Sequence, residues 1–262
     1  MKALTARRRH PLAGVILILL GLLLAGTTYA VASPGDRTSQ GLTGQVDQGE
    51  KLFLANCSTC HGTNAAGTIY GPSLIGVGAA AVDFQVGTGR MPMEATAPQA
   101  PRKEVKLSAQ DTADLAAYVA SLGPGPAIPD EEFTTPDFSD EEALARGGDL
   151  FRINCAMCHN VVGSGGALTR GKYAPPLDGV EGVHIYQAMQ TGPQSMPVFN
   201  DANLTPQDKQ EIISFLKYIE QQPSPGGLSL GSLGPVSEGL FLWLGLLVII
   251  IGCTVWLGAK SS

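Results

Sequence analysis

Cys57, Cys60 and His61 stand at the spacing C-x-x-C-H, and the pattern returns about a hundred residues later as Cys155, Cys158 and His159. Two thiols three positions apart lie on one face of a helical turn. A histidine directly after the second thiol is then aimed across the plane of a flat ring held by both. That geometry fits covalent attachment of a c-type haem, with thioethers from the cysteines and the imidazole on the iron. A thioredoxin-like redox pair or half of a zinc site would use the same cysteines, but neither gives a reason for a histidine after each pair. The two motifs therefore predict two covalently bound haem c groups, held by Cys57 and Cys60 and by Cys155 and Cys158.

An iron-bound histidine needs an acceptor for its other ring nitrogen, and the carbonyls of Pro72 and Pro175 are the candidates. The opposite face of each iron needs a second ligand. In the first copy Gly89-Arg90-Met91-Pro92-Met93 offers two thioethers in a loop stiffened by proline. Met91 is the expected ligand, with Met93 as the alternative. In the second copy Gln194-Ser195-Met196-Pro197 offers Met196. Met189 is the runner-up there, and His184 would give a lower-potential bis-histidine site. Met157 lies inside its own attachment motif and cannot swing across the ring. A histidine and a methionine on one iron raise its potential and close it to oxygen or substrate, so such a site passes electrons.

The elements that position these residues repeat as well. Gly49 precedes Cys57 by the same interval as Gly147 precedes Cys155; Leu52-Phe53 matches Leu150-Phe151, and Asn56 matches Asn154. A duplicated domain follows. In each copy an amphipathic helix leads into the motif, the first starting near Asp47. A closing helix starts at Ser108 with Asp111, and in the second copy at Thr205-Pro206 with Asp208. The fold expected is mainly α, with two tandem class I cytochrome c-like domains.

The 262 residues include 33 Gly and 18 Pro and few aromatics, a thin apolar core that a haem in each domain would fill. The net charge of −6 argues against a basic nucleic-acid binder. Basic residues Arg7 to His10 precede the uncharged run from Pro11 to Ala32, the pattern of an export signal. That run either is cut after Ala30-Val31-Ala32 or stays as a transmembrane helix. The 21 residues from Gly239 to Ala259 carry no charge and as a helix span about 31 Å, the depth of the hydrocarbon layer. Trp243 and Trp256 near its ends and Lys260 after it mark a membrane anchor with a cytoplasmic C-terminus. Cys253 within it reads as a packing residue. The domains expected are 1–32 signal or retained helix, 33–46 tether, 47–123 first cytochrome c domain and 124–139 acidic Pro-rich linker. They continue as 140–222 second cytochrome c domain, 223–238 flexible linker and 239–259 C-terminal anchor.

Two such domains in series, with an export segment before them and an anchor after them, resemble the dihaem cytochrome c subunit of the bacterial cytochrome bc1 complex, the menaquinol:cytochrome c reductases. The resemblance covers essentially the whole chain and matches Cys57, Cys60, His61 and Met91 to the first site and Cys155, Cys158, His159 and Met196 to the second. It implies partners: a cytochrome b subunit that oxidises quinol, a Rieske iron-sulfur subunit that hands on the electron, and a terminal oxidase fed without a mobile cytochrome c. It also implies a plasma-membrane location with the haem domains on the outer face, and no quinol chemistry within this chain. A dihaem subunit of a cbb-type oxidase has similar domains but is expected to be anchored at its amino end only. A dihaem peroxidase needs one iron with an open position, against two sites that each have a methionine to hand.

Overall fold

The computed structural model describes residues 11–32, 41–222, 230 and 235–259. Helix α1, Pro11–Ala32, belongs to a unit of its own that runs to residue 45, and residues 46–262 make up a second compact unit. That second unit holds both haem domains.

The first domain starts with α2, Leu42–Asn56, five residues ahead of the expected start. Cys57 breaks the helix, and the short turn α3, Ser58–His61, follows. Next come α4, Gly78–Gly87, and the closing helix α5, Ala109–Ser121. Ser108 caps α5 by accepting from the backbone N–H of Asp111, as its sequence predicts. Helix α4 has no helical signature: its buried Ala80, Val82, Phe84 and Val86 recur every second residue, a strand-like period. Packing on both faces, not amphipathicity, sets its conformation.

The second domain repeats the order with α7, Glu141–Asn154, α8, Ala156–His159, α9, Gly182–Thr191, and α10, Pro206–Gln221. Thr205 and Asp208 form the reciprocal capping box at the start of α10. The copies differ in their connections: the segment from Gly87 to Ala109 is longer than its counterpart from Thr191 to Pro206, and the second copy has a hairpin that the first lacks. Between His159 and Pro175 the chain makes a small antiparallel hairpin, β1 at Gly166–Ala167 and β2 at Tyr173–Ala174.

The repeated glycines have a steric cause. A Cβ at Gly49 would overlap the carbonyl oxygen of Asp114 on α5, and one at Gly147 would overlap that of Glu211 on α10. The first and last helices of each domain cross so closely there that no side chain fits between them. Phe53 packs on Tyr118 with ring centroids 5.3 Å apart beside the first crossing, and Phe151 on Phe215 at 5.9 Å beside the second. Each pair joins a buried apolar cluster, one per domain.

The segment expected as a linker, 124–139, is largely exposed but is held at several points by both domains. The backbone N–H of Ala80 donates to the carbonyl of Pro126 at 3.1 Å. A helical turn α6, Glu131–Thr134, follows, and Phe133 lies against the second core. Asp137 N–H then donates to the Ser214 hydroxyl, and Gln210 donates to the carbonyl of Glu132. The C-terminal helix α11, Pro235–Gly258, contains a span of 23 residues from Val236 with mean hydropathy 2.6, long and apolar enough to cross a membrane. Its Trp243 and Trp256 are exposed. Ala30, Lys260 and the basic residues before Pro11 lie outside the residues whose side chains are described, as does most of the expected 223–238 linker.

Candidate haem sites

In both copies the first cysteine ends one helix and the next turn carries the rest of the motif. The N–H groups of Cys60 and His61 both bond back to the Cys57 carbonyl, at 3.1 and 3.0 Å, and those of Cys158 and His159 to the Cys155 carbonyl, at 3.1 and 2.9 Å. This tight turn places each histidine inside the domain, where His61 and His159 are both buried. Nδ1 of His61 lies 2.7 Å from the Pro72 carbonyl oxygen, and Nδ1 of His159 lies 3.0 Å from that of Pro175. A carbonyl only accepts, so Nδ1 carries the proton in both rings and Nε2 keeps its lone pair for a metal. Burial pushes the His159 imidazole below its usual pKa, with the Pro175 bond opposing, and the neutral form is the one an iron binds.

Backbone without side chains lies close behind each motif. A Cβ at Gly71 would come within 2.9 Å of the Cys60 carbonyl oxygen and 3.1 Å of His61 Cε1, and a Cβ at Gly166 within 2.8 Å of the Cys158 carbonyl oxygen. Substitution at either glycine would push on the histidine-bearing turn.

Burial, with the neighbouring thiol second, pushes Cys57 up to about 11 and Cys155 up to about 12. Thiols held that high are poor thiolates at neutral pH, unlike the activated cysteine of a redox pair. Among the described residues no three His, Cys, Asp or Glu side chains converge as a zinc site requires. Both observations fit cysteines that serve as covalent tethers.

The methionines sort by position. Met91 packs against the first buried cluster, which includes Phe53, Val82 and Leu115, whereas Met93 is absent from it. Met196 packs against the second cluster and shares with Cys155, Cys158 and His159 the wall of a cavity of ≈ 340 Å³. That cavity, with Leu177 and Ile212 also on its wall, is an apolar crevice with sulfur and imidazole to hand, the donor set a haem requires. Met189 also reaches it but is 2% exposed and integral to the core. His184 sits where α9 meets the first domain, its ring edge-on to Phe84 at 6.3 Å. Met157 is 90% exposed, at the edge of the same cavity.

The contact between the domains is where residue-by-residue reading fell short. Helices α4 and α9 pack on one another. Gln187, fully buried, donates to Asp83 at 2.6 Å. The Gln194 side chain bonds both backbone groups of Ala100, and Gln99 bonds both backbone groups of Tyr173 on β2. Arg90 and Arg102 of the first domain line the second domain's cavity. The available signal was a mismatch between the copies: Arg90 precedes Met91, where Ser195 precedes Met196.

Comparison with known proteins divides the chain the same way. Residues 46–123 match the family model described as cytochrome c, and residues 142–216 match that described as cytochrome c oxidase, cbb3-type, subunit III. A Corynebacterium efficiens protein named cytochrome bc1 complex cytochrome c subunit is 45% identical, covering 97% of this chain and 90% of its own. Proteins of the same name from Corynebacterium diphtheriae, 42% identical over 99% of both chains, and Mycobacterium bovis, 43% identical over 97% and 93%, also align.

Proposed function

We propose a function from one premise: the chain belongs to the family of cytochrome c subunits of the cytochrome bc1 complex. It carries two covalently bound haem c groups, one in each cytochrome c domain, and its role is electron transfer. Bound haem supplies one-electron chemistry; the chain positions it, excludes water and tunes its potential.

In the proposed arrangement Cys57 and Cys60 tether the first haem and Cys155 and Cys158 the second. His61 with Met91, and His159 with Met196, are the iron ligands. The domains run over 47–123 and 140–222, with α11 as the anchor. The chain accepts electrons from the Rieske iron-sulfur subunit beside cytochrome b and delivers them to a terminal oxidase. Its haem domains lie on the outer face of the plasma membrane, and its C-terminus is cytoplasmic. Alignment along nearly the whole chain, anchor included, carries this reading. The cbb-type oxidase alternative draws on the match of residues 142–216, which covers one domain.

Native electrophoresis of gently solubilised membranes tests the partners. The chain is expected to migrate with cytochrome b and a Rieske protein. Migration by itself, with both haems attached, would remove the complex from the account.

A further inference from the structure

The second haem cavity has a wall that its own domain does not supply. Arg90 and Arg102, both from the first domain, line it together with His159 and Met196. Arg90 is 9% exposed and stacks over the Phe84 ring with Cζ 4.6 Å from the centroid. Among the described residues neither guanidinium has a carboxylate partner. The nearby acids are engaged elsewhere: Asp83 accepts from Gln187, and Glu181 lies 3.9 Å from His184 Nδ1. The one acid on the cavity wall, Asp178, is exposed. Lys172, a third base on the wall, donates to the Ser195 hydroxyl at 2.9 Å.

A buried cation such as Arg90 is costly without an anion, and the exposed guanidinium of Arg102 nearby adds repulsion. The chain nevertheless holds them near each other. A Cβ at Gly89 would overlap the carbonyl oxygen of Lys103, so the sequence neighbours of Arg90 and Arg102 meet backbone to backbone, with Gly89 at φ +68. Such a pair, aimed at a haem cavity, is complete once carboxylates enter it. The haem of this site brings two, its propionates.

We propose that Arg90 and Arg102 of the first domain hold the propionates of the second domain's haem. The inference rests on the haem assignment of the Cys155–His159 site. Its consequence is electrostatic. Paired propionates favour the oxidised iron less than bare ones do, so the two arginines raise the second haem's potential. Docking of the domains, through Gln187 to Asp83 and Gln194 to Ala100, then becomes part of the tuning of that centre.

The test is a spectroelectrochemical titration of the full chain in its purified complex, with the second haem identified as the wave that moves in Met196→Leu. In Arg90→Gln/Arg102→Gln that wave is expected to shift down by about 59 mV, a tenfold change in the one-electron equilibrium constant, and the first haem's wave by less. Arg90→Lys/Arg102→Lys keeps the charge and should recover most of the shift, an outcome that mere loosening of the fold would not give. Arg102 is exposed, so Arg102→Gln alone remains readable if the double variant misfolds, with a smaller shift in the same direction. An unmoved second wave, or a first wave that moves as far, overturns the proposal. A chain with fewer than two covalent haems, or no response to Met196→Leu, would instead overturn the haem assignment beneath it.

Discussion

The two cytochrome c domains are copies of one plan that close their crevices by different means. In the first, the acceptor Pro72 lies eleven positions after His61, and the loop folds back on its own domain. In the second, Pro175 lies sixteen positions after His159, and the extra length is the β1–β2 hairpin. Its Tyr173 exchanges two bonds with Gln99, so the insertion that distinguishes the second copy also fastens it to the first. The shared parts, from the glycine crossing to the proline acceptor, build a haem site. The unshared parts join two sites into a pair.

If the copies are independent as attachment sites, the most drastic change should be confined to one of them. Cys155→Ala/Cys158→Ala is expected to abolish covalent haem in the second domain and leave it in the first, halving the haem stain per chain on a denaturing gel. Mass spectrometry of the same chain should show a single haem addition. Loss of both haems would mean that the first copy cannot mature alone, and the comparison would have to be redrawn around a single folding unit.

A subtler pair of variants asks whether the copies have the same sixth ligand. Met196→Leu and Met91→Leu are each expected to abolish one sulfur-to-iron charge-transfer band and to lower one potential by more than about 59 mV, over tenfold in the equilibrium constant. Met93→Leu should leave both waves in place, because Met91, not Met93, packs into the first core. A shift in Met93→Leu with none in Met91→Leu would reverse that assignment.

What could be read from the sequence was whatever is local or repeated. The C-x-x-C-H turns, the carbonyls of Pro72 and Pro175, the capping residues Ser108 and Thr205 and the glycines at 49 and 147 lie within short spacings or answer one another between copies. Helix α4 was hidden because its apolar residues alternate like a strand, and the start of α2 at Leu42 because Thr43, Gly44 and Gln45 continue the polar, Gly-containing composition of the tether. The role of residues 124–139 was hidden for another reason. Their composition is that of a linker, yet Pro126 and Phe133 are held by partners far away in sequence. The Asp83–Gln187 bond and the placing of Arg90 and Arg102 on the second domain's cavity belong to the contact between copies, and neither copy read alone contains it.

That contact gives the smallest expected effect, a dependence on pH. His184 lies in the α4–α9 contact, with Glu181 and Asp83 on one side of its charge balance and Arg102 and Arg90 on the other. Burial, reinforced by the two arginines, outweighs the two carboxylates and pushes the imidazole below its ordinary value. A histidine held neutral in the folded protein, but free to protonate when unfolded, stabilises above the unfolded pKa of about 6.5. As pH falls from there through the lowered folded value, that stabilisation is lost, since only the unfolded chain takes up the proton. The melting temperature of the second domain should therefore decline between pH 7 and pH 5, and His184→Gln should flatten part of the decline while leaving both potentials in place. An equal decline in the variant would place the titrating group elsewhere, and a moved potential would put His184 on the iron in place of Met196.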